Sequence, residues 1–150
     1  LKDGGERALV ERYRTRFDPL AKKLGFHPVN WLELPESRAA SAEKRCADEA
    51  EALARTCRDV PFRIVLDVKG KGLSSEEFAR LLAKTRDDGQ KAAALLVGGP
   101  DGHGPDMLTT AQVRLSLGPM TLPHGLARVV LAEQLYRAAT ILSGHPYHRA

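Results

Sequence analysis

Between His145 and Arg149 the chain places two imidazoles, a phenol and a guanidinium within five residues. Such groups exchange protons near neutrality, stack on planar rings and hold phosphate. Two histidines with no cysteine or carboxylate beside them make a poor zinc site, so metal ligation is not expected here. Chain ends commonly fray, but Pro146 stiffens this one and it follows directly on an apolar helix. A little upstream, Glu133 and Arg137 stand i, i+4 with the acid first, the favourable order for a helical ion pair. On an exposed helix that pair stabilises by only a few tenths of a kcal/mol. In a buried helix it becomes a held pair beside the tail.

Two glycine-bearing segments offer a different kind of chemistry. Val97-Gly98-Gly99-Pro100-Asp101-Gly102 follows an unbroken apolar run, Ala92 to Val97. Glycine lets backbone approach a ligand closely, and open α/β sheets bind ligands beyond the carboxyl ends of their strands. A plain tight turn is the competing account. Neither GxGxxG nor GxxxxGK[ST] is present, which disfavours dinucleotide-binding and P-loop readings. Leu115 to His124 (LSLGPMTLPH) breaks strand-like residues with Gly118, Pro119 and Pro123. It either offers backbone N–H and C=O groups to a purine ring or connects a strand to a helix.

The elements needed to position these groups can be read from periodicity. Residues 6–24 form a helix with Ala8, Leu9, Tyr13 and Phe17 facing inward and Arg12, Arg14 and Arg16 mostly outward. Val29 to Leu34 (VNWLEL) reads as a strand closed by Pro35. Ser37 to Arg58 reads as a helix whose Ala, Glu, Lys and Arg content marks it as solvated. Phe62 to Val68 (FRIVLDV) is a strand running into the loop Lys69-Gly70-Lys71-Gly72. Ser74, with Glu77 three residues on, opens a capped helix. The 92–97 run suits a strand covered on both faces. From Leu126 to Leu142, twelve of seventeen residues are apolar, the exceptions being Arg128, Glu133, Gln134, Arg137 and Thr140. A helix that apolar is buried on most sides, and a second subunit is the simplest cover for what one sheet cannot reach. Strands alternating with helices predict an α/β fold with a mostly parallel sheet in one domain over residues 1–150.

With 150 residues and 43% hydrophobic content, the chain can build one core. It contains neither a signal peptide nor an apolar run of the ~18 residues that would span a membrane, and it reads as soluble and cytoplasmic. Lys and Arg exceed the acids by 23 to 19, a net charge of +4 that suits a polyanionic partner without requiring one. Cys46 and Cys57 lie about three turns apart on one helix, too far for a disulfide, and read as free thiols.

Taken in order, Leu66-Asp67, LLVGGPDG (residues 95–102), LSLGPMTLPH (115–124), LARVVLAEQLYRA (126–138) and GHPYHR (144–149) resemble the RlmH family. These are the small SPOUT-class methyltransferases that modify a pseudouridine of large-subunit ribosomal RNA. The resemblance covers essentially the whole chain. The family's first strand would precede Leu1-Lys2-Asp3 and has no counterpart in this sequence. Gly125 and Gly144 stand where members commonly carry Pro and Asn.

The resemblance implies a C-terminal trefoil knot, an exception to the usual absence of threading. It also implies a homodimer, S-adenosylmethionine as methyl donor with no metal, and methylation at N3 of a pseudouridine in 23S rRNA on the assembled 70S ribosome. Carried over by position, Leu66, Gly98, Leu117, Gly118, Pro119, Met120, Thr121 and Leu122 would surround the donor. His148 would be the base for the N3 proton, Arg149 and Arg137 would hold phosphate or developing charge, Tyr147 would meet the target base, and Glu133 would position them. A non-catalytic ribosome-binding module of the same fold is the alternative. An unrelated α/β nucleotide-binding enzyme is a third reading, disfavoured by the basic charge and the aromatic-cationic tail.

Overall fold

A computed structural model of the protein describes residues 4–99 and 101–149. In chain order the elements are α1 (Gly5–Lys23), α2 (Ala42–Thr56), β1 (Phe62–Gly72), α3 (Ser75–Asp87), β2 (Ala93–Leu96), α4 (Pro105–Thr109), β3 (Val113–Ser116) and α5 (His124–Ser143). A single 3-10 turn, Pro146–Arg149, follows. The chain folds as two compact units: a sheet unit of residues 32–72 and 91–124, and a helical unit of residues up to 31, 73–90 and 125 onward.

The sheet unit has the predicted parallel arrangement, in the order β2-β1-β3. β1 pairs with β2 from Phe62 opposite Ala93 to Val65 opposite Leu96, and with β3 from Ile64 opposite Val113 to Leu66 opposite Leu115. Ile64 and Val65 on the central strand are completely buried, one on each face, each stabilising the fold by about 1.5–3 kcal/mol relative to exposure. Val65 packs in a core with Cys57, Leu96 and Met107, lined by Ala50 and Leu53 of α2 and Leu108 of α4. The predicted loop at residues 69–72 is instead a bulge within β1. Leu66 and Lys71 both register with Leu115, so residues 67–70 loop out between them before the strand resumes. A bulge ejects residues while saving the ladder on either side.

The helical unit buries Val10, Phe17 and Ala21 of α1, Phe78 and Ala79 of α3, and a long face of α5. The α3 capping box is present as the Ser74/Glu77 spacing predicts, with Ser74 Oγ accepting from the Glu77 N–H and Glu77 returning the contact to the Ser74 N–H. Arg86 of α3 donates to the Leu24 carbonyl at 2.6 Å and lies 5.2 Å over the Phe26 ring, fixing the end of α1. Of residues 126–142, only Leu126 is exposed, in accord with the apolar pattern. Thr140, the polar residue buried deepest in α5, satisfies its hydroxyl on the Arg137 carbonyl at 2.7 Å.

Three further expectations fail. Residues 29–34 form no strand; Leu32 is 63% exposed, so the alternation there marks no buried face, and Pro28 and Pro35 bracket a segment that passes from one unit to the other. Ala8 and Leu9 are exposed, whereas Val10 is buried. The inward stripe of α1 is Val10, Tyr13, Phe17 and Ala21, one turn-phase away from the stripe chosen on Ala8 and Leu9. Finally, α2 starts at Ala42 rather than Ser37. Ser41 is its N-cap, accepting from the Lys44 N–H, while Ser37 is held in the preceding loop by Asp48 and Glu49.

Candidate active site

In the sheet unit all three strands run parallel, so their carboxyl ends share one edge, where such sheets bind ligands. Leu66 precedes the β1 bulge, Gly98 follows β2, and Leu117 to Leu122 follow β3. The eight residues expected to surround the donor thus lie at or beyond the strand ends on that edge. Ser116 links two of these loops. Its hydroxyl donates to the Val68 carbonyl in the bulge at 3.0 Å and accepts from the Gly118 N–H at 3.1 Å. Beyond it, Pro119, Met120, Thr121 and Leu122 are exposed, Met120 by 81%.

The turn after β2 is tight. The Gly102 N–H donates to the Gly99 carbonyl at 2.9 Å. A Cβ on Gly98 would stand 2.9 Å from the Gly102 carbonyl carbon, so only glycine fits. Backbone is therefore what this turn can offer a ligand. His103 secures its far end, with its Nε2–H donating to the Leu96 carbonyl at 3.1 Å. Burial keeps this imidazole's pKa below the ordinary histidine value, against the opposing pull of the hydrogen bond and of Asp67 and Glu49.

Composition marked α2 as a solvated helix, and that reading is overturned on one face. Arg45 grips Asp101 with Nε at 2.7 Å from Oδ2 and Nη2 at 3.3 Å from Oδ1. The guanidinium holds the Asp101 carboxyl below the usual carboxylate range. Cys46, a free thiol, lies beside the Asp101 and Gly102 carbonyls. Its pKa is raised, first by burial and then by the negative charges of Asp101 and Glu49. Residues 45, 46 and 49 share one helical face, the only sequence signal for these contacts.

In the helical unit, α5 and the tail form a second cluster. Arg137 places Nη2 at 2.7 Å and Nε at 2.8 Å from Glu133 Oε1. Tyr147 donates its hydroxyl to that same oxygen at 3.2 Å, and Gln134 donates to Oε2 at 3.0 Å. Gln134 in turn accepts from Ser75 Oγ at the start of α3. Arg137 lies 5.2 Å over the Tyr147 ring, and Tyr136 bridges Tyr147 to Tyr13 of α1 with centroid distances of 4.5 and 6.2 Å.

Burial, a hydrogen bond with Tyr13 and the Glu133 charge push the Tyr147 phenol up to about 12. It is a neutral donor at any physiological pH. The tail reaches this position because α5 ends in a Schellman turn: Gly144 takes a φ of 77° and the His145 N–H returns to the Thr140 carbonyl at 3.0 Å. Glu133, Arg137 and Tyr147 are thus brought together. His148 buries an Nδ1 that has no hydrogen-bond partner among the described residues, and Arg149 is exposed. Sequence reading missed Gln134 and Tyr136 on α5 itself, and Tyr13 of α1 and Ser75 of α3, which hold this cluster from other elements.

A parallel sheet with glycine-built loops at its carboxyl edge is an arrangement that many ligand-binding α/β enzymes share. The chain belongs to the SPOUT methyltransferase family, whose model, described as a predicted SPOUT methyltransferase, matches residues 1–148. It is 48% identical over 150 residues to the ribosomal RNA large subunit methyltransferase H of Brucella anthropi, covering all of this chain and 94% of the relative. The protein of that name from Rhodopseudomonas palustris strain BisB18 is 50% identical over 150 residues, with 94% of it covered. For the Bradyrhizobium sp. ORS 278 protein the figures are 47% and 93%. Among the described residues, no helix is long and apolar enough to cross a membrane, and no group of three metal-ligating side chains converges.

Proposed function

We propose that this chain is an S-adenosylmethionine-dependent methyltransferase acting at N3 of a pseudouridine in 23S rRNA, on the assembled 70S ribosome. The observation that carries this is identity of about half, over the full chain, to ribosomal RNA large subunit methyltransferases H. In this reading the protein is a cytoplasmic homodimer whose chain is knotted at its C-terminal end.

The sheet unit fits the donor by its chemistry. Gly98, Gly99, Gly102 and the loop after β3 present backbone polar groups, and Met120 and Leu122 present exposed apolar surface to a purine or a thioether. Bound there, the donor supplies an electrophilic sulfonium methyl. His148 takes the N3 proton of the target base as the N–CH3 bond forms and the C–S bond breaks, releasing S-adenosylhomocysteine. Tyr147 holds its proton too tightly for that role, which leaves the His148 imidazole as the base of the tail. Arg149 meets RNA phosphate. Arg137, kept in place by Glu133, faces the negative charge that develops on the base, and Tyr147 positions the base. Alignment of N3 with the methyl supplies a large share of the rate.

Isothermal titration with S-adenosylmethionine, combined with light scattering and methylation of ribosomes lacking the modification, tests the reading. Donor binding by a dimer, with methyl incorporated at one N3, is the expected result. A folded dimer that associates with ribosomes without binding the donor would make it a non-catalytic module instead.

A further inference from the structure

Three of the five residues from 98 to 102 are glycines, so little of this turn's shape can be kept by its own side chains. Flexible glycine backbone is costly to order, and a ligand that must order it binds more weakly. Helix α2 bears on the turn at three points. The Arg45 guanidinium takes both oxygens of Asp101, and its Nη1 also donates to the Ala39 and Ala40 carbonyls at 3.0 and 3.3 Å. One cation thus ties the turn to the entrance of α2. Cys46 lies beside the next two carbonyls. Glu49, anchored through Oε2 by the Ser37 N–H at 3.0 Å, sets Oε1 against Gly99, where a Cβ would stand only 2.9 Å away. That oxygen is shielded from solvent and has no hydrogen-bond partner among the described residues.

The Arg45–Asp101 pair is partly exposed, and pairs of that kind contribute about 0–1 kcal/mol to global stability. The convergence of three α2 side chains on one five-residue turn serves something more local. We infer that Arg45 and Glu49 are positioning residues of the methyl-donor site, acting through Asp101 and Gly99 to keep the 98–102 turn in its binding shape. This rests on the donor occupying the carboxyl edge of the sheet, as proposed above.

The full chain titrated with S-adenosylmethionine tests it. Arg45→Ala and Asp101→Asn should each weaken binding about tenfold, the scale of ordering one loop. The double variant should be no weaker than either single variant, because both break one contact. Arg45→Lys should recover part of the loss, since it keeps the charge but not the two-pronged grip. Glu49→Gln should weaken binding about threefold, as an uncharged side chain of the same shape. In ribosome methylation the KM for the donor should rise while kcat at saturating donor stays constant, with thermal midpoints close to wild type. Unchanged donor affinity in folded Arg45→Ala and Asp101→Asn would overturn the inference. So would a loss in the double variant equal to the sum of the singles. Failure of the wild-type protein itself to bind the donor would instead overturn the donor-site reading.

Discussion

In the proposed reading, the two units build their sites by opposite means. At the sheet edge the working surface is backbone. Gly98, Gly99, Gly102 and Gly118 present peptide groups, and charged side chains such as Arg45 and Glu49 stand behind them as supports. In the helical unit the working surface is side chains. Glu133 gathers Arg137, Tyr147 and Gln134 on one carboxylate, and the supports behind it are aromatic rings and a glycine turn. The contrast follows from the tasks. Holding a donor calls for close approach and many weak contacts, whereas moving a proton and stabilising charge calls for a few titratable groups in fixed places. Substitutions in one unit should therefore leave the other unit's function intact.

The largest expected effect tests the chemical half of that division. His148→Ala should lower the single-turnover methylation rate by roughly 10²–10⁴-fold, the range for losing a general base, while donor affinity measured by calorimetry stays at the wild-type value. A rate within twofold of wild type would remove His148 as the base and leave alignment as the source of rate.

Gly98→Ala tests the other half. The added methyl would lie 2.9 Å from the Gly102 backbone, where no side chain can yield. Overpacking of this kind costs about 1–3 kcal/mol. Donor affinity should drop roughly 10- to 100-fold, with near-ultraviolet circular dichroism of the tyrosine cluster unchanged. Loss of that tyrosine signal would show that the units are coupled and that the division is false.

Which parts of this design could be read from sequence depends on the range of the contacts. Ser74 and Glu77 announce their capping box because the partners are three residues apart, and the apolar 92–97 run announces a parallel strand, although only Leu96 of β2 is buried and the expected cover on both faces is incomplete. The α5 pattern is legible for the same reason: its burial repeats along the element itself. By contrast, Arg45 meets Asp101 and Ser75 meets Gln134 across more than fifty residues, and no local pattern marks either contact. Residues 29–34 mislead because alternation alone implies a strand, while the sheet there offers no partner. Glycines and tail could be assigned to a site, but their supports could not.

Glu133→Gln sharpens the comparison within the helical unit. The amide keeps its shape yet loses the charge that holds Arg137 through two contacts and accepts from Tyr147. The pair is partly buried, so the loss should be about 1–2 kcal/mol of stability by urea denaturation. Methylation should slow about tenfold as Arg137 and Tyr147 lose their fixed places. Donor affinity should not move. If it weakens as much as in Gly98→Ala, Glu133 belongs to the donor site.

The smallest effect concerns pH and separates the units by titration. His103 is buried with its folded pKa below its ordinary value near 6.5. The unfolded chain therefore takes up a proton before the folded chain does. Its contribution to stability is complete above about pH 6.5 and declines as pH falls through the depressed folded value. Glu49 and Asp67, the charges nearest the ring, oppose but do not reverse that direction. Asp101 is distinguishable, because its pKa is lowered from 3.8 and its stabilisation is lost only in a more acidic range. Urea midpoints measured between pH 7.5 and 5 should thus fall slightly, and His103→Gln, which keeps a donor for the Leu96 carbonyl, should flatten that slope. Donor affinity should follow the same slope, since His103 secures the turn that begins at Gly98. An identical slope in the variant would show that the sheet unit owes its acid sensitivity to carboxylates alone.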